Sequence, residues 1–228
     1  MTKILLMGDS IARGYNASIL GKSWFPLFCR QLETATGLAI SPTNHSSGGR
    51  CMTPRCPAYG ASTKPAVLES APALFGEEWD LIILACGHND YRGGISPEVF
   101  RSEYDALLSA ASQSGRMVMV SSLYNTLDKG YKHMPDFCRN TLPVEEFNTV
   151  LSELAIKYGA AYADVYTPFL AAPHLIDPDG LHPTDQGHLL LASVYLQTAL
   201  TCFPDLAGKL PRESLVYAFR ERYGNQTF

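Results

Sequence analysis

The sequence predicts an α/β fold, a parallel sheet covered by helices on both faces. Three observations carry this. Strand-like and helix-like runs alternate from the N-terminus to about residue 200, the pattern of repeated strand–helix–strand units. The run Asp80-Leu81-Ile82-Ile83-Leu84-Ala85-Cys86 is apolar without a break after its first residue, as a central parallel strand buried on both faces must be. The first strand, Lys3-Ile4-Leu5-Leu6-Met7, runs straight into Gly8-Asp9-Ser10, and in open sheets of this kind ligands bind outside the carboxyl ends of the strands.

Taken in order, the elements follow from local chemistry. After the first strand comes a Gly-containing loop, Ala12 to Lys22. Ser23 is a cap for a helix that starts near Trp24, with Pro26 in its first turn and Gly37 at its end, where glycine supplies the left-handed conformation. Leu38-Ala39-Ile40 begins a weaker second strand leading to Asn44. The stretch Asn44 to Arg50 and the Pro-rich loop after it favour turns with exposed backbone N–H groups. Lys64 to Phe75 reads as a helix, and Asp80 to Cys86 as the third strand, which stops at Gly87-His88-Asn89-Asp90. Pro97 opens a helix with Phe100, Tyr104, Leu107, Leu108 and Ala111 on one face. Arg116 to Val120 is the fourth strand. Ser121 to Leu142 is irregular and rich in aromatics, the length of a functional loop. Pro143 starts the next helix, Ala160 to Val165 is a short fifth strand, and Asp177 to Pro183 is a loop. A last amphipathic helix runs from about Thr184 to Cys202, and residues 203–228 form a C-terminal extension expected to be helical.

Bulk properties bound the function. A chain of 228 residues suits one domain, here 1–228. Its net charge of −4 gives no electrostatic reason to expect nucleic acid. No apolar run approaches the roughly 20 residues that span a bilayer, so no membrane insertion is expected, and the N-terminus lacks the order of a signal peptide. The six cysteines, Cys29, Cys51, Cys56, Cys86, Cys138 and Cys202, are dispersed and contain no CxxC. Cys51 and Cys56 are near enough to pair in an exported protein; the expectation is reduced thiols in the cytoplasm. Oligomeric state is not legible.

The chemistry concentrates at two distant places. A serine hydroxyl is a poor nucleophile until a base takes its proton, and a carboxylate must fix the tautomer of that base. In Asp179-Gly180-Leu181-His182 an acid and a base lie one turn apart, so Asp179 can reach one imidazole nitrogen while the other points to Ser10. Asp177 is a rival for the acid. An oxyanion needs donors already aimed at it. The candidates are the Ser10 N–H, a glycine N–H of Gly48-Gly49, and the Asn89 side chain beyond the third strand. Asp9 and Asp90 suit a structural role, holding turns through backbone hydrogen bonds.

These pieces, in this order, resemble the SGNH (GDSL-type) hydrolase family over about residues 3 to 200. Gly8-Asp9-Ser10 resembles its nucleophile block, Asn44 to Gly49 its second, Gly87-His88-Asn89-Asp90 its Gly-x-Asn-Asp block, and Asp179 to Pro183 its Asp-x-x-His block. The resemblance implies a flavodoxin-like three-layer α/β/α sandwich with a central five-stranded parallel sheet. It implies catalytic Ser10, Asp179 and His182, and an oxyanion hole of Ser10, Gly49 and Asn89, with Gly48 as the fallback. The implied reaction is carboxylic ester hydrolysis without metal or cofactor. The substrate is expected to be a small-molecule ester with a short acyl group, acetylated carbohydrate among them. A lysophospholipase or thioesterase of the same family is the alternative. Two departures stand out: His88 sits beside the amide donor, and Ser10 is followed by Ile11 rather than the family's leucine.

Other classes leave their own traces. His174, Asp177, Asp179, His182, Asp185 and His188 form a dense run of metal-ligand types, which a metal-dependent hydrolase would use. No His-Glu-x-x-His accompanies them, and such a site leaves Ser10 and Asn89 unused. A non-catalytic binding module would not keep every triad member. A nucleotide binder would carry Gly-x-Gly-x-x-Gly after the first strand, which is absent. Tyr59, Tyr91 and the stretch Tyr124 to Phe137 are the candidates for shaping a substrate pocket.

Overall fold

The computed structural model describes residues 1–114, 117–126 and 142–204. Within them β1 (Thr2–Gly8), β2 (Ile40–Ser46), β3 (Leu81–Ala85), β4 (Met117–Ser121) and β5 (Ala161–Ala163) form one sheet in the order β2-β1-β3-β4-β5. Every pairing is parallel. This is the flavodoxin-like doubly wound order, whose strand sequence reverses direction at β1 and so opens a crevice beside its carboxyl end.

Period-two alternation decides what each face of the sheet carries. Ile4, Leu6, Leu81, Ile83 and Met119 point to one side, where they pack with α2 (Trp24–Thr36) and α8 (Asp185–Cys202). Leu5, Met7, Ile82, Leu84, Val118 and Val120 point to the other, against α3 (Val67–Phe75), α5 (Pro97–Gln113) and α6 (Val144–Tyr158). On the first side Trp24 stacks on Tyr195 of α8 with ring centroids 4.2 Å apart, and its indole N–H donates to the Ile11 carbonyl at 3.0 Å. The nucleophile turn is thereby tied to the helical layer.

Register brings three loops together. Gly8 lies opposite Ser46 of β2 and opposite Ala85 of β3. The residues that follow each strand therefore leave the sheet at one edge.

Three local expectations need correction. Ser23 precedes α2, but its hydroxyl donates to the Leu20 carbonyl at 2.7 Å instead of capping the helix. α3 begins at Val67 and not Lys64, because Ala66, at φ −53° and ψ 156°, is outside the helical region, and Glu69 reaches back to the Ala66 N–H at 2.9 Å. Three short helices went unread: α1 (Ser10–Arg13), α4 (His88–Arg92) and α7 (Tyr166–Ala171). The expected C-terminal helix beyond Pro204 and the stretch 127–141 lie outside the described residues. Among the described residues no helix is long and apolar enough to cross a membrane.

Candidate active site

The site begins with the turn after β1. Position 8 has to be glycine, because a Cβ there would stand 2.2 Å from the Ala85 carbonyl oxygen and 2.5 Å from the Ala12 Cβ. Asp9 is extended and caps α1, its Oδ1 accepting the Ile11 N–H at 2.9 Å. Ser10 is thus the first residue of a one-turn helix at the sheet edge, 6% exposed. Its Oγ lies 2.8 Å from His182 Nε2.

The loop before α8 delivers that imidazole. An antiparallel bridge between Ile176 and Pro183 pinches it shut, reinforced by the Asp177 N–H donating to the His182 carbonyl at 2.8 Å. Asp179 then serves its own turn and the base together. One carboxylate oxygen accepts the Leu181 and His182 N–H groups at 2.8 and 2.9 Å; the other lies 2.6 Å from His182 Nδ1. Partial burial pushes the Asp179 carboxyl up, but the bonds from the His182 ring and the two backbone N–H groups outweigh it and hold the group below the usual carboxylate range. Asp177, the rival, accepts the Asp179 N–H and shapes the turn.

Asn16 was not read from the sequence. Its Nδ2 donates to the same Asp179 oxygen that faces the imidazole, at 3.0 Å. It is the one non-glycine residue with positive φ, +65°, among the described residues, a conformation asparagine tolerates. Its loop is strapped to the catalytic loop elsewhere too. Ser18 donates its N–H and hydroxyl to Asp185 at 2.8 and 2.7 Å, and Lys22 meets the same carboxylate at 2.8 Å. His188, kept neutral by burial, donates Nε2–H to the Tyr15 carbonyl at 2.8 Å. The Tyr15 ring stacks on His182, centroids 5.4 Å apart.

The loops after β2 and β3 leave the sheet at the same edge as the nucleophile turn. Gly49 has φ +67°, and a Cβ there would stand 2.9 Å from the Ala61 carbonyl oxygen. A Cβ on Gly48 would stand 2.9 Å from the Tyr15 hydroxyl. Gly49 therefore demands glycine by conformation and backbone contact, whereas at Gly48 the Tyr15 side chain would have to move. Asn89, in α4, spends one amide hydrogen on the Arg50 carbonyl at 2.9 Å, which fixes the plane of the amide and leaves its second hydrogen for another acceptor. Asp90 accepts the Met52 and Thr53 N–H groups at 2.6 and 3.2 Å, tying the third block to the second. Arg50, fully buried, adds bonds to the carbonyls of His45 and Pro65. Burial pushes the Asp9 and Asp90 carboxyls each up to about 7.

His88, the departure beside Asn89, is buried and held neutral. Burial pushes it down to about 3, and its Nε2 accepts the Tyr124 N–H at 3.2 Å. Tyr124 is buried too, and its hydroxyl donates to the Leu181 carbonyl at 2.7 Å. It is a strut between the loop after β3 and the catalytic loop. Tyr59 is exposed and bonded to Glu69; Tyr91 packs on Phe147. Beside Asp9 a small pocket of about 20 Å³ is lined by Ile11, His88, Ser121, Tyr124 and Tyr195, room for one water molecule.

The run of metal-ligand types does not converge. His174 is exposed on a separate turn, Asp179 and His182 are engaged with each other and Ser10, and Asp185 and His188 serve the Asn16 loop. Cys51 and Cys56 are free thiols, not the disulfide considered for an exported protein.

Comparison with known proteins gives a consistent picture. The GDSL-like Lipase/Acylhydrolase family matches residues 6–190. The inhibitor-bound aryl esterase of M. smegmatis superposes with TM-score 0.72 at 16% identity, covering 89% of this chain and 100% of that one. A lipase/acylhydrolase from Enterococcus faecalis gives TM-score 0.66 at 20% identity, covering 87% and 95%. An acetyl xylan esterase from Geobacillus stearothermophilus gives TM-score 0.63 at 16% identity, covering 86% and 94%. At these identities the structures speak to the fold. No curated protein is matched by sequence.

Proposed function

This chain belongs to the GDSL-like Lipase/Acylhydrolase family and is a carboxylic ester hydrolase, and on that premise we propose that it hydrolyses short-chain esters, acetylated carbohydrate among them, through an acyl-Ser10 intermediate. One observation carries the mechanism: Ser10 Oγ, His182 and Asp179 stand in an unbroken chain of 2.8 and 2.6 Å contacts. His182 Nε2 takes the Ser10 proton as Oγ attacks the ester carbonyl. Asp179 receives Nδ1–H, fixing the tautomer and steadying the imidazolium. The imidazolium returns the proton to the leaving alcohol. Water then attacks the acyl-enzyme with His182 again as base, releasing the acid and freeing Ser10. The oxyanion is met by the N–H groups of Ser10 and Gly49 and by the free amide hydrogen of Asn89, donors fixed before substrate arrives. Asn16 acts as a positioning residue for Asp179.

The short acyl group is supported by the acetyl xylan esterase among the proteins of like fold. The free thiols among the described cysteines support a cytoplasmic setting. The test is rapid mixing with a p-nitrophenyl ester series. A burst of one nitrophenolate per chain and a mass increment mapped to Ser10 are expected with the acetate, with turnover falling as the acyl chain lengthens. Faster turnover of the long-chain esters contradicts the acyl-length assignment, and a burst that survives in Ser10→Ala contradicts the nucleophile.

A further inference from the structure

Outside the catalytic chain, a second cluster of reactive side chains lies beneath the donor loops. Cys51 and Cys56 come from the loop after β2, and Asp90 from α4. One ligand atom from each, two sulfurs and a carboxylate oxygen, lies within 4.8 Å of the others. All three residues are buried, at 2%, 4% and 0% exposure. The geometry points to a site for a soft divalent cation, of the zinc or cadmium class, ligated by Cys51, Cys56 and Asp90.

Ligand chemistry supports this choice. Two thiolates with one carboxylate suit zinc and cadmium, whereas magnesium and calcium seek all-oxygen sets. Tetrahedral zinc–sulfur bonds of about 2.3 Å imply ligand separations somewhat under 4 Å, so the three groups need only close slightly. A Cβ on Gly93 would stand 3.1 Å from the Cys56 sulfur; glycine there leaves the thiol its place. Access is short: Cys56 is a single buried residue between exposed Pro54, Arg55 and Pro57. The step balances without a redox partner: the cation forms two metal–sulfur bonds, both thiol protons leave to solvent, and Asp90 binds as carboxylate.

Occupancy has a consequence for the ester site. Asp90 now holds the Met52 and Thr53 N–H groups. Cys51 follows Arg50, whose carbonyl anchors the Asn89 amide. Drawing Asp90 and Cys51 onto a cation disturbs both ties, so the bound state is the less active one. The binding claim is independent of the esterase reading.

The experiment titrates the reduced full-length protein with cadmium and follows the thiolate-to-cadmium charge-transfer band in the ultraviolet. Zinc stoichiometry is measured separately by equilibrium dialysis. One cation per chain is expected, with the band lost in Cys51→Ser and in Cys56→Ser and kept in Cys202→Ser, whose exposed thiol is the control. Circular dichroism establishes that each variant is folded. No band, a band that survives both loop substitutions, or a Cys51–Cys56 disulfide in the unreduced protein as isolated overturns the assignment.

Discussion

Ser10, Asn89 and Asp90 are 6%, 4% and 0% exposed, whereas the Asp179 side chain keeps 28% of its surface and Asn16, which holds it, is exposed. The nucleophile-and-donor half of the site grows out of strand ends locked by sheet register. Its ties are buried: Asp9 to the Ile11 N–H, Asp90 to Met52 and Thr53, Asn89 to the Arg50 carbonyl. The base half is two surface loops joined by side-chain bonds from Asn16, Ser18 and Lys22. Packing sets the first half; a few hydrogen bonds set the second. Damage to the first is therefore expected to be severe, and damage to the second graded.

The largest effect is expected at Asn89. Asn89→Ala removes an amide aimed at the transition state and should lower kcat by ~10²–10³ with little change in KM. A loss confined to KM contradicts its role.

The next concerns stability in the buried half. Asp9 and Asp90 ionise near 7 when folded but near 3.8 when unfolded. In that window the folded chain binds more protons, so stability falls as pH rises toward 7 and levels off above it. Carried alone, either shift corresponds to an upper bound of about 4 kcal/mol. His88 works in reverse between 6.5 and about 3, since the unfolded chain takes up its proton first. His188 and His45, also lowered by burial, oppose the carboxyls in the same way, so substitution isolates the carboxyl contribution. Asp9→Asn keeps the Ile11 cap and should remove its share of the decline between about 4 and 7, so the variant gains stability relative to wild type as pH rises in denaturant titrations; an unchanged difference across pH contradicts the assignment.

In the exposed half the effects shrink. Asn16→Gly removes the donor to Asp179 while keeping the left-handed backbone. Losing a hydrogen bond to a charged acceptor is worth ~1.5 kcal/mol, so kcat/KM should fall roughly tenfold with the fold intact. Asn16→Ala should cost about 1 kcal/mol more in stability, from strain at positive φ. Wild-type kinetics in Asn16→Gly remove it from the site. The smallest change is expected for Lys22→Ala. That pair is half exposed and Asp185 keeps both Ser18 bonds, so the denaturation midpoint should hardly move. A larger loss means that the strap depends on charge.

The same contrast explains what the sequence made legible. The central strands stood out because burial on both faces leaves only apolar residues, and Gly8, Asn89 and His182 follow from what strand ends and catalysis require. The edge strand β2 was found but runs two residues later than its apolar start at Leu38 suggests, because its solvent-facing Pro42, Thr43 and Asn44 carry no apolar signal to mark its bounds. α1 and α4 are single turns whose capping residues read as loops. Asn16 was invisible because its partner lies 163 residues away and no local pattern announces a left-handed asparagine. His88 read as a departure because its justification, the Tyr124 N–H, is 36 residues distant.

The central claim is that Ser10 is an activated nucleophile. The most direct measurement is intact mass after treatment with a fluorophosphonate, followed by peptide mapping. A single adduct on Ser10, lost in His182→Ala, is the predicted result. An unmodified Ser10 in the folded protein contradicts the account.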